Sequence, residues 1–500
     1  MTSAPSVKQR IRAARRAVML HSPTMQGTTN SQIQFIVDPV AAQNAFYQHE
    51  LLPITHGNRN RNGNSDEGDD DDDDTSDNDH HEPSNTTTSP PDPPCSYANL
   101  CKPIKPTRLL QHALTNANGD AWFRQRYCVS RAFAVPKPMR ANCGKYAAEK
   151  MIEMIQSQSP SLCGSCLGKR KNDGIKATLD VRYLAREVAA AAMIRMVFGA
   201  GYRQQHDMID ALRGMVLDTL ELVRNHDDKR IDSIQRTKIL DALVREAIND
   251  IATDDSSDDA NHCLGQRLLD FEKDGREQYY LTRDEVVSNA HSALLAGTQT
   301  ISTTIAGALA HLAQMPDLQR DMHAGSLSGR AVVMETLRIL PPVAGLPRVP
   351  KNSGLVLSCQ KNGGSASNLQ CPVQKEQIMV VDLLAFAHAQ PIIDSNDNDS
   401  GNGSVSDIAS LKFDPRKGKK GEEQPWGIGK RKCPAGIISV ECISIILETM
   451  IERNFTWKFA RPKKDMIDEA AWRGWIESIV YRPTLQFNDE IRITFIETLH

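Results

Sequence analysis

The chain has 500 residues, 40% of them apolar, which suffices for one large domain or two to three ordinary ones. Its net charge of −3 excludes a global basic signature for nucleic acid, so no nucleic-acid partner is expected. Eleven cysteines without a repeating framework argue against a disulfide-stapled secreted module and for an intracellular reducing compartment, cytosol or organelle, and the lack of any 18-residue apolar run predicts no transmembrane anchor.

Residues 1–32 form a basic segment with Lys8, Arg10, Arg12, Arg15 and Arg16 and no acid. Val7, Ile11 and Val18 share one helical face, so this is either an organelle transit peptide or the first helix of the domain. Ile33–Val37 reads as a strand closed by Asp38-Pro39, and Val40–Leu52 has a helical pattern. Residues 56–94 are rich in Asn, Asp, Gly, Ser and Pro and cannot bury enough apolar area to offset their ordering entropy. They are expected to be a disordered acidic insertion within one domain spanning 33–500. Shorter inserts of the same kind occur at 362–368 and 395–406.

Ala113 to Met315 is mainly helical in pattern, with an apolar-rich helix predicted over Thr178–Phe198 and amphipathic turns over Asp207–Ile251. Thr282 and Glu285 have capping-box spacing, apolar residues continue to Met315, and Pro316 stops the run. A helix over 283–314 would be a rod about 48 Å long. Apolar on most faces, it must cross the centre of a large domain. Beyond Pro341 come short β-like pieces at Leu355–Ser358 and Gln377–Val381, a helix over Pro434–Arg453 and a β-like stretch over Tyr481–Phe495. The expected fold is mainly α with a small β region.

Four local patterns carry chemical meaning. In Trp426-Gly427-Ile428-Gly429-Lys430-Arg431-Lys432-Cys433-Pro434, two glycines permit a tight turn and Pro434 is placed to open a helix. Cys433 would then sit at a helix N-terminus among cations, where a thiolate is favoured over a thiol. Glu335 and Arg338 are i and i+3 on a helix that ends at Pro341-Pro342, and can pair. Ala296-Gly297-Thr298-Gln299-Thr300 interrupts the long helix with a glycine that costs about 1 kcal/mol relative to alanine. It either opens a groove for a flat cofactor or dioxygen, with the Thr300 hydroxyl serving it, or lets a second helix cross closely. Trp122 and Arg126 place an aromatic and a cation one helical turn apart, suited to holding carboxylates or to covering a surface.

In this order the four patterns resemble the cytochrome P-450 superfamily. The haem-binding signature F-x-x-G-x-R-x-C is met by Trp426, Gly429, Arg431 and Cys433, and the E-x-x-R helix by Glu335 and Arg338. The central-helix motif [A/G]-G-x-[D/E]-T-T is met by Ala296, Gly297 and Thr300, and the W-x-x-x-R helix by Trp122 and Arg126. The resemblance implies a single large domain holding haem b, with Cys433 as the axial ligand of the iron. It implies that Trp122, Arg126, Arg348 and Arg431 partner the haem propionates, and that Glu335 and Arg338 tie their helix to the loop before the cysteine. Thr300, with Gln299, would guide protons at the oxygen site. The implied reaction inserts one atom of O2 into a lipophilic organic substrate, with electrons from a ferredoxin or flavoprotein reductase.

Gln299 stands where the family has Asp or Glu, which removes the carboxylate of the proton relay. Trp426 replaces the usual Phe, and Ala435 the usual Gly, with Gly436 following. The membrane anchor common in eukaryotic members is not expected here, since the sequence contains no such apolar run. Seven cations over residues 416–432 are read as a basic proximal face that attracts the acidic electron donor. Two alternatives stay open: a peroxygenase or hydroperoxide-rearranging member of the same fold, and a degenerate chain that binds haem without turnover. Cys163-Gly164-Ser165-Cys166 is read as a loop between helices and His80-His81 as part of the acidic run, neither as a metal site.

Overall fold

The computed structural model describes residues 33–36, 98–99, 108–158 apart from 118, 176–221, 229–253, 263–273, 279–343, 345–349, 355–359, 369–373, 378–382, 413–417, 424–460 apart from 428, 479–481, 485–487 and 490–498. The basic N-terminal segment, the helical pattern at 40–52, all three inserts, Cys163–Cys166 and the cations Lys419 and Lys420 lie outside the described residues.

The chain runs β1 (Ile33–Ile36), β2 (Ala98–Asn99), α1 (Gly119–Ala132), α2 (Lys137–Ser157), β3 (Lys176–Asp180), α3 (Val181–Phe198), α4 (Gln205–Glu221), α5 (Lys229–Thr253) and α6 (Leu264–Lys273). It continues through α7 (Arg283–Gln314), α8 (Pro316–His323), α9 (Gly329–Ile339), β4 (Gly345–Val349), β5 (Leu355–Cys359), β6 (Leu369–Val373) and β7 (Ile378–Asp382). It ends with α10 (Gly436–Glu452), β8 (Phe455–Phe459), β9 (Ile479–Tyr481), β10 (Leu485–Phe487) and β11 (Arg492–Glu497). Among the described residues no helix is long and apolar enough to cross a membrane.

Helix α7 starts where the capping box predicts. The Thr282 hydroxyl accepts from the Glu285 amide while the Glu285 carboxylate accepts from the Thr282 amide. Most of its 32 residues are buried, because α3, α6, α9 and β8 pack around it. Helix α3, itself mostly buried, lies along α7 as its most extensive neighbour. Burying one large aliphatic side chain stabilises by about 1.5–3 kcal/mol, so the contact between these two helices is a substantial part of the core.

The described strands form four separate sheets. The order β1-β7-β4-β2 makes one sheet, with β1 parallel to β7 and the other neighbours antiparallel. A second sheet has the order β3-β11-β8. Residues 176–180 thus correct the expected helix over 178–198: they form a strand, and α3 starts only at Val181. Asp180 caps α3 by accepting from the Arg182 amide. Its register against β11, not local periodicity, decides that boundary.

Candidate active site

The chain reaches Cys433 through a turn that two glycines make possible. Gly427 and Gly429 have φ of 79° and 72°, in the left-handed region. The turn closes with the Cys433 amide donating to the Trp426 carbonyl at 2.9 Å and the Lys432 amide donating to Gly429 at 3.0 Å. Helix α10 opens at Gly436 with Ala435 as its cap, two residues later than expected. Trp426 lies against the start of this helix: a Cβ on Gly436 would stand 3.0–3.2 Å from its indole ring. The departures at 426 and 435–436 are therefore coupled, the larger aromatic occupying space that a side chain at 436 would need.

The Cys433 thiol is exposed, yet enough protein surrounds it to desolvate the sulfur. That burial pushes its pKa up. The Ala435 amide, Arg126 and Lys432 pull it down without winning. The loop's helix end and cations favour a thiolate, as the sequence implies, but burial of the sulfur outweighs them.

Helix α1 brings its aromatic and its cation to this loop. The Arg431 guanidinium lies 4.4 Å over the Trp122 ring, within cation–π range, and its two terminal nitrogens lie 3.5 Å from the Ala117 carbonyl. Arg126, one turn beyond Trp122, acts electrostatically on Cys433. Trp122, Arg126, Arg431 and Cys433 are thus neighbours, although more than 300 residues separate α1 from the cysteine. Arg348 belongs to β4, registered against Met379 and Asn99; its side chain lies outside what the structure describes.

In the middle of the otherwise buried α7, Ala296 is exposed, and Ser292, Leu295, Gln299 and Thr300 are partly so. Positions 292, 296 and 300 follow i, i+4 spacing, so one face of the rod opens over two turns. The Thr300 hydroxyl donates to the Ala296 carbonyl at 2.8 Å. Ser302 and Thr303 hydroxyls donate to the Gln299 carbonyl at 2.9 and 3.1 Å. Gly297 does something else. A Cβ there would stand 2.5 Å from the Met193 sulfur and 2.6 Å from its terminal methyl. The glycine makes room for the Met193 side chain of α3, which is the packing alternative for Gly297, and Met193 is the partner that no local pattern marked.

Glu335 and Arg338 of α9 form a two-pronged ion pair with bonds of 2.7 and 2.6 Å. The same carboxylate accepts from the Asp414 amide at 3.0 Å, joining α9 to the segment ahead of the cysteine loop. His311 of α7 stacks on Phe413 in that segment, with centroids 4.0 Å apart.

These residues fit a haem. An exposed thiol on a rigid turn can ligate iron, an open helix face made of Ala296 and Thr300 can accommodate a flat ring, and two arginines with an indole N–H suit propionates. Among the described residues no cluster of His, Cys, Asp and Glu forms a separate metal site.

Comparison with known proteins agrees with the geometry. The cytochrome P450 family model matches residues 102–326. Cytochrome P450 714C2 of Oryza sativa subsp. japonica is 22% identical over 383 residues, covering 69% of this chain and 66% of its own; the match spans slightly less than two thirds of that protein. A zebra fish cytochrome P450 solved with progesterone superposes with a TM-score of 0.57 at 17% identity, over 79% of this chain and 88% of that one. Cyanobacterial CYP120A1 bound to retinoic acid gives 0.54 at 15% identity, over 78% and 82%. At such identities the structural likeness is one of fold.

Proposed function

We propose that the chain is a member of the cytochrome P450 superfamily, whose family model matches residues 102–326, and a haem-dependent monooxygenase inserting one oxygen atom into a lipophilic organic substrate. The observation that carries this reading is the exposed Cys433 thiol on its glycine turn, with Arg126 acting on it and Arg431 stacked on Trp122. Haem b, when bound, supplies the redox and dioxygen chemistry.

The protein's own part is to hold and to deliver. Cys433 is the proposed iron ligand, and Trp122, Arg126, Arg348 and Arg431 the propionate partners. Burying two carboxylates beside an apolar core is costly without such cations. Thr300 and Gln299 are the proposed proton-handling pair on the open face of α7. A carboxamide can donate and accept hydrogen bonds and so hold a water, but it cannot exchange a proton as a carboxylate does. Thr300 then carries the relay. The cations of residues 416–432, apart from Arg431 and from Arg416, which pairs with Asp317 and Asp321, are the proposed docking face for a ferredoxin or flavoprotein reductase. Retinoic acid and progesterone, bound by two of the similar solved proteins, are both lipophilic, which supports the substrate class.

The ferrous–CO spectrum tests the assignment. Cys433→Ser should abolish the strongly red-shifted band, while the other ten cysteines can be replaced without that loss. Survival of the band in Cys433→Ser would show that another group ligates the iron. Gln299 also favours a second reading, in which peroxide replaces dioxygen and reductant. Turnover supported by peroxide and not by a reductase would select it.

A further inference from the structure

Two polar side chains near the start of α7, Glu285 and Asn289, are spaced i, i+4 and both reach α1. The Glu285 carboxylate accepts from Arg124 at 2.9 and 2.6 Å, from the Gln125 carboxamide at 2.9 Å and from the Thr282 amide at 2.9 Å. Asn289 donates to the Gln125 carbonyl oxygen at 3.1 Å and to the Glu285 carbonyl at 2.8 Å, and it accepts from the Leu114 amide at 2.9 Å. Glu285, Asn289 and Gln125 are all buried. Burial pushes the Glu285 carboxyl up, but Arg124, the Thr282 amide and Gln125 outweigh it and hold it below its ordinary range.

A capping box requires only the bond to Thr282. The three further donors therefore need their own reason, and the packing of α1 supplies it. Helix α1 packs chiefly on α6, whereas the polar bonds to Glu285 and Asn289 join it to α7. Arg124 also bonds the Tyr280 carbonyl and lies 4.4 Å over the Tyr280 ring, extending the clamp to the residues just before α7. Arg124 and Gln125 stand between Trp122 and Arg126 in sequence, so the clamp fixes the rotation and height of the helix that carries both. A carboxylate accepting charged and neutral donors from two successive residues is stiff against rotation in a way that apolar packing is not.

We infer that Glu285, backed by Asn289, is a positioning residue that holds α1 so that Trp122 and Arg126 meet the haem propionates, an inference that rests on the haem reading above. The test uses the full chain reconstituted with haemin and measures the rate at which haem transfers to excess apomyoglobin. Glu285→Gln keeps the side-chain volume and removes the charge. It should speed haem loss about tenfold, near the lower end of what a charge-assisted hydrogen bond contributes. In a Trp122→Phe/Arg126→Ala background the same substitution should change the rate less than twofold, because the two propionate donors that Glu285 positions are gone. Equal acceleration in both backgrounds would show that Glu285 only supports the fold, and would overturn the inference. Arg124→Gln, at the solvent-facing edge of the clamp, is the second variant and must show the same dependence on Trp122 and Arg126 whether or not Glu285→Gln folds. Failure of the unmodified chain to bind haemin would instead overturn the haem reading, a result separable from either variant's behaviour.

Discussion

Gly297→Ala asks whether the glycine of the central helix serves the cofactor or the crossing of two helices. The new methyl would point at Met193, 2.5 Å from its sulfur and 3.0 Å from its Cγ, both well inside van der Waals contact. Met193 is buried in α3, so it can yield only by repacking. Overpacking of this kind costs about 1–3 kcal/mol, while alanine gains about 1 kcal/mol over glycine inside a helix. The net expectation is a loss of about 1 kcal/mol. With Met193→Ala in place, the sign should invert. The methyl then enters a void, adding about 0.8 kcal/mol of burial to the helix preference, for a gain of about 2 kcal/mol. The coupling between the two positions is thus about 3 kcal/mol, large for a pair in contact. Urea midpoints at unchanged slope, for haem-free protein, measure all four corners of the cycle. An equal loss with and without Met193→Ala, or a weakened haem affinity at unchanged stability, would refute the packing account in favour of the groove.

Glu335→Ala should cost about 3–5 kcal/mol in urea unfolding, because it leaves the nearly buried Arg338 guanidinium without its carboxylate; a loss below about 1 kcal/mol would contradict the role of the pair. His311 gives a pH signature: burial, aided by nearby Arg338, lowers its pKa from 6.5 to about 3. The folded state then binds the proton less readily than the unfolded chain, so stability is full above pH 6.5 and falls as pH drops below it, by about 1.4 kcal/mol per unit. His311→Phe, which keeps the stack on Phe413, should flatten that part of the pH–stability curve, and an unchanged slope would point to another group. Thr300→Ala should leave haem content intact and lower the yield of product per reductant consumed, whereas Gln299→Glu should raise it by restoring a titratable group. Unchanged coupling in Thr300→Ala, with peroxide the better oxidant, would favour the peroxygenase reading.

Patterns that depend on neighbours a few residues apart were legible in the sequence. The capping box of Thr282 and Glu285, the stop at Pro316, the glycine turn before Cys433 and the pairing of Glu335 with Arg338 all arise from local geometry. So does the mainly α class, since helical periodicity is written within each segment. Tertiary structure alone decided what these segments meet. Residues 176–180 have no local reason to be a strand, and only the register with β11 makes them one. The partner of Gly297 lies in α3, about a hundred residues away, so the choice between a cofactor groove and a helix crossing could not be read from either helix alone. The sulfur of Cys433 has an environment set by how much protein surrounds it, and that desolvation reverses the direction its own loop implies. Glu285 shows both levels at once. Its capping bond is local, but its grip on Arg124 and Gln125 exists only because folding brings α1 against the start of α7, where a buried carboxylate must find donors wherever the chain supplies them.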